Sequence, residues 1–180
     1  VFGFTMLAMA LSGVVLAVGL DERFTNGMGL VTAYLVVSSW VTARRPAGAK
    51  GWPELGVIAF GASVAAAFAI FPQFPGEQIF SPPNVYILAG FAGFAAAMDL
   101  RVFFARTVSA GARLARHLWR MCMALTIASA SVFLGQQDEF PQALKFGMAW
   151  ALPSLAVLAA MVFWLIRVQG RKLGAAQRVG

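Results

Sequence analysis

Six stretches of mostly apolar residues, separated by short connections, limit this chain more than any other feature of its sequence. They run over residues 2–20, 27–43, 55–71, 84–100, 117–135 and 146–166. A helix rises about 1.5 Å per residue, so about 20 residues cross a hydrocarbon core of about 30 Å. Lipid offers the backbone no hydrogen-bond partner, and none of the six stretches alternates in the manner of a barrel strand. The expected fold is therefore all-α: one polytopic six-helix transmembrane bundle over residues 1–166, followed by a basic tail over 167–180. Hydrophobic residues make up 60% of the chain and charged ones 12%, a balance foreign to a water-soluble domain. The first stretch lacks a basic segment before it and a small-residue cleavage site after it, which points to a retained helix. Because it opens at Val1 without an initiator methionine, native residues are expected upstream.

Charge predicts the orientation. Arg44, Arg45 and Lys50 follow the second stretch, and Arg101, Arg106, Arg113, Arg116 and Arg120 surround the connection after the fourth. Arg167, Arg171, Lys172 and Arg178 follow the sixth. The other three connections hold Arg23 and Lys145 among Asp21, Glu22, Glu77, Asp138 and Glu139. One side thus carries a net +10 and the other a net −3, which together make the chain's +7. Under the positive-inside rule both ends are expected in the cytoplasm, facing anionic lipid. The same placement accounts for the basic pI without nucleic acid. Trp40, Trp119 and Trp164 fall near the predicted cytoplasmic interface, and Trp150 toward the outer one.

The fifth stretch holds the densest polar pattern. At 100° per residue, His117, Met121, Ala124, Ala128, Ser131 and Gly135 share one line, with Arg113 and Arg120 at its cytoplasmic edge. Small residues at this spacing allow close helix packing, and Gly90, Gly93 and Ala97 form a comparable stripe on the fourth. A flat cofactor between helices would use the same room. Haem b would take His117 as an axial ligand, with Met121 nearby and Arg113, Arg116 and Arg120 for its propionates. A headgroup contact is the plainer role for those basic residues. Asp99, the acid nearest an apolar span on this side, costs about 2.5–3.5 kcal/mol if placed deep in hydrocarbon. A salt bridge to Arg116 or Arg120 is expected, and a proton site is the alternative. Thr32, Ser38, Ser39, Thr126, Ser129 and Ser131 are each expected to bond a carbonyl one turn back.

Several chemistries are excluded by residue count or spacing. One cysteine, Cys122, permits no intrachain disulfide, and one histidine permits no histidine cluster for a metal. Cys122 lies across the helix from His117, which disfavours a nucleophile pair, and no phosphate loop or hydrolase triad appears. The proline-rich segment Pro72 to Asn84 is expected to be a stiff outer loop.

The segment Arg116, His117, Leu118, Trp119, Arg120, Met121, followed by Phe133, Leu134, Gly135 and Gln136, resembles an uncharacterised family of bacterial multi-pass inner-membrane proteins. Tyr34, Leu35, Asp99, Leu100 and Arg101 add weaker support. The resemblance implies a bacterial plasma membrane and a helical bundle, with a further N-terminal stretch that holds a histidine near the first helix; it implies no substrate. The functional expectation is a non-enzymatic accessory subunit of a larger membrane complex. A haem or quinone electron-transfer protein using His117 and a small proton-coupled transporter using Asp99 are the alternatives.

Overall fold

The computed structural model describes residues 2–19, 23–44, 51–70, 82–105, 108–134, 141 and 147–176. Their architecture is all-helical, with six long helices: α1 (Phe2–Gly19), α2 (Arg23–Arg44), α3 (Trp52–Ile70), α4 (Pro82–Phe104), α5 (Ala110–Phe133) and α6 (Leu152–Ala176). Three helical segments are long and apolar enough to cross a membrane, Trp52–Ile70, Tyr86–Phe104 and Gly147–Val168, and Gly3–Val15 is a shorter apolar one.

Helix limits follow local chemistry and depart from the apolar windows. Pro82 and Pro83 open α4 instead of closing the loop before it, because a proline in the first turn lacks only an N–H that would have no helical partner. Asn84 also lies within α4, while residues 72–81 of the expected outer loop, and Gly135, lie outside the described residues. α5 begins seven residues before the predicted start at His117. Ser109 caps it, its side chain accepting from the Ala112 amide at 3.2 Å. This adds Arg113 and Arg116 to the ordered helix. A 3-10 turn over Gly147–Ala151, entered through Gly147 at φ +55°, leads into α6. α6 runs on to Ala176, so the expected tail continues the helix over most of its length.

α2 is the central element. It packs against α1, α3 and α5, while α4 lies along α3 and α6 along α5. Val31, Tyr34, Leu35, Val36, Ser38 and Ser39 of α2 are all buried. Close approach explains the glycines on either side of this core. A Cβ on Gly61 of α3 would lie 2.5 Å from Tyr34 Cζ, and one on Gly29 would lie 2.7 Å from Val14 Cγ2 of α1. Only a bare backbone fits at these two crossings. The Tyr34 ring then meets Phe60 edge-on, with centroids 6.0 Å apart.

On α4 the buried face is Ala92, Ala95, Ala96 and Asp99, spaced three, four and seven residues from the first. The expected packing face of that helix is displaced. Gly90 and Ala97 are exposed, and a Cβ added at Gly93 would meet Ala65 Cβ at an ordinary 3.7 Å. Both stripes of this helix consist of small residues, so small size alone does not choose between them. Asp99 chooses, because its carboxylate must find donors and turns its own side of the helix inward. On α5, Ala124 is buried, and Ala128 and Ser131 are partly so.

Candidate functional site

Four side chains of α5, Arg113, Arg116, His117 and Arg120, recur at three- and four-residue spacing and share one face. That face turns toward α2 and α4. At its centre Asp99 of α4 is almost completely buried. Its Oδ2 accepts from Tyr34 Oη at 2.7 Å, Ser38 Oγ at 3.0 Å and Arg120 Nη1 at 2.9 Å. Its Oδ1 accepts from Arg120 Nη2 at 2.6 Å and from Arg116 Nη2. Arg120 therefore grips the carboxylate end-on with both terminal nitrogens, and Arg116 adds a second guanidinium.

The arrangement is a junction of three helices. Tyr34 and Ser38, four residues apart, come from one side of α2; Asp99 comes from α4; the arginines come from α5. α4 packs chiefly along α3, so long side chains carry its link to α5. Arg120 Nη2 also donates to the Ala95 carbonyl at 2.9 Å, and Trp119 meets Phe91 edge-on at 6.2 Å. The Arg120 guanidinium lies 5.2 Å from the Trp119 ring centroid and 5.7 Å from that of Tyr34, two cation–π contacts that replace part of its lost hydration. Arg120 itself has no exposed surface.

One turn away, α2 and α5 meet again. Ser39 Oγ lies 2.6 Å from His117 Nδ1 and 3.2 Å from the His117 carbonyl oxygen, and Arg113 Nη2 donates to the Thr42 carbonyl at 3.2 Å. Ser38 and Ser39 thus reach across helices, contrary to the local bonding expected of them. Thr32 and Thr126 do bond back, to Met28 and Cys122. Ser38 and Ser39 differ because they face polar groups of neighbouring helices, the Asp99 carboxylate and the His117 imidazole.

Of the groups assigned to haem, Arg116 and Arg120 converge on Asp99, Met121 lies beside Gly3 of α1, and His117 meets Ser39 through Nδ1, not through Nε2, the nitrogen by which an axial histidine usually binds iron. Five donors saturate the Asp99 carboxylate, which leaves no acceptor position for a further group. Trp40 and Trp164 carry Arg44 and Arg167 over their rings at 4.2 and 5.5 Å, in two further cation–π contacts. Tyr34 and Ser38 are the site residues that sequence reasoning missed. Their signal was a tyrosine and a serine four residues apart inside an apolar span. Comparison with protein-family profiles, with curated proteins and with solved structures finds no match for this chain.

Proposed function

We propose that this chain is a non-enzymatic subunit of a larger membrane assembly, with six spans and both ends on the cytoplasmic side of a bacterial inner membrane. The observation that carries the reading is on α3, where Gly56, Ala59, Ser63 and Ala66 are exposed in one line at spacings of three and four. Small residues on an outer face let another membrane helix approach closely, and dispersion then drives association. The groups able to do chemistry support the same reading from inside the bundle, since Asp99, Tyr34, Ser38 and the terminal nitrogens of Arg120 are bonded to one another.

The decisive experiment is association with the native membrane in mild detergent, followed for wild type, Ala59→Leu with Ala66→Leu, and a control at the exposed Val162 of α6, Val162→Leu. The α3 double variant is expected to lose a stoichiometric partner while keeping its own thermal stability, and the control to keep both. A wild-type chain that runs as a lone monomer removes the proposal. Orientation is tested separately in a Cys122→Ala background, where a cysteine at Ser109 is expected to react only with reagent supplied from the cytoplasm.

A further inference from the structure

α4 and α5 are joined by long side chains, while their backbones pack elsewhere, α4 along α3 and α5 along α2 and α6. Besides the pairing of Asp99 with Arg116 and Arg120, the link is Trp119 of α5, whose ring meets Phe91 and Phe94 of α4 with centroids 6.2 and 6.5 Å away. The two helices are thus splayed, and a cleft runs between their outer edges. One wall is the edge of α4 that holds Phe94, Met98 and Arg101, four and seven residues on from the first. The other is Trp119 and Met123 of α5, again four apart. Phe94 rests on Trp119 yet keeps 60% of its surface accessible.

The walls select the occupant. A membrane helix packs closely against small residues, such as those on the outer line of α3, and the Phe94 and Trp119 rings hold its backbone away. A hydrocarbon chain is narrower, and gains dispersion contacts with rings and methionines along its whole length. Charge stands at one end. Arg101 lies in the last turn of α4, is exposed, and makes no ion pair or side-chain hydrogen bond among the described residues. Arg116 and Arg120 are committed to Asp99 and take no part.

We propose that the cleft between α4 and α5 binds an anionic phospholipid, one acyl chain lying against Phe94, Met98 and Trp119 and the phosphate meeting the guanidinium of Arg101. The chain supplies contact area and the phosphate supplies selectivity, because the ammonium of a zwitterionic lipid offsets its attraction to Arg101. The site is separate from the exposed line of α3, so loss of lipid here and loss of a protein partner there are distinguishable.

The test uses the full chain in nanodiscs of phosphatidylcholine with a small share of phosphatidylglycerol. Native mass spectrometry counts the lipid retained through delipidation, and phosphatidylglycerol brominated on an acyl chain reports contact with Trp119 by fluorescence quenching. One retained phosphatidylglycerol per chain is expected, with a quenching component that saturates at one lipid and that Trp119→Phe removes. Arg101→Gln is expected to weaken retention about fivefold, the effect of one basic residue at an anionic surface. Phe94→Ala is expected to abolish the saturable quenching, and Arg167→Gln, on the exposed surface of α6, to change neither readout. Phe94 and Arg101 are exposed, so both variants are expected to fold, and the wild-type count stands even where one does not. Absence of a one-to-one lipid overturns the proposal, as does equal retention of phosphatidylcholine. So does an equal loss in Arg167→Gln, which marks a diffuse basic surface, or a protein retained in place of the lipid and released by Phe94→Ala, which assigns the cleft to a helix.

Discussion

Replacing Asp99 by asparagine tests the three-helix junction most directly. The amide keeps the size of the carboxylate and one acceptor oxygen, so Tyr34 Oη and Ser38 Oγ, at 2.7 and 3.0 Å, retain a partner. The charge is lost. Arg116, partly accessible, can turn toward water, but Arg120 has no exposed surface and grips the acid with both terminal nitrogens. The cost is therefore that of an unpaired buried guanidinium, about 3–5 kcal/mol, or roughly a hundred- to several-thousandfold in the unfolding constant. Arg120→Met should cost a similar amount by stranding part of the carboxylate. The double variant Asp99→Asn with Arg120→Met removes both charges and should be more stable than the sum of the single losses by at least about 1 kcal/mol. Equilibrium unfolding in mixed micelles, or steric trapping in a bilayer, measures all four proteins. If the single effects add to within about 0.5 kcal/mol, the two side chains are not coupled and the junction has been misread.

Other outcomes follow from individual contacts. Tyr34→Phe deletes one donor to the ionised Asp99 and should cost about 1.5–3 kcal/mol in the same assay, a loss below about 0.5 kcal/mol contradicting the bond. Gly61→Ala should destabilise by about 1–3 kcal/mol because the new methyl meets the Tyr34 ring. Gly90→Ala, which adds a methyl in open space, should be neutral or stabilising by up to about 1 kcal/mol, and equal effects at the two glycines would refute the packing argument. Because Asp99 holds Arg116 and Arg120, the partners expected for haem propionates, the purified protein should show no Soret band that His117→Ala abolishes. Such a band would restore the electron-transfer reading.

What the sequence determined by itself is the helical class and the approximate place of each helix. Apolar runs near 20 residues long leave a backbone in lipid no other way to satisfy its hydrogen bonds. It also marked Asp99 as a group that must find a cation, because solvation cost depends on residue type before any neighbour is known. Terminal detail was less legible: Ser109 and Pro82 start their helices by capping and by an unneeded N–H, which an apolar window does not register. The tertiary structure alone decided which faces meet. α4 carries two stripes of small residues, and local periodicity treats them alike. The one with Asp99 goes inward because Tyr34 and Ser38, more than 60 positions away in the chain, supply hydroxyls there. The same encounter brings Arg116 and Arg120 of α5 onto Asp99, with Arg120 fully buried. Partners so far apart in sequence share no local pattern, and the energy that couples them exists only once three helices have come together.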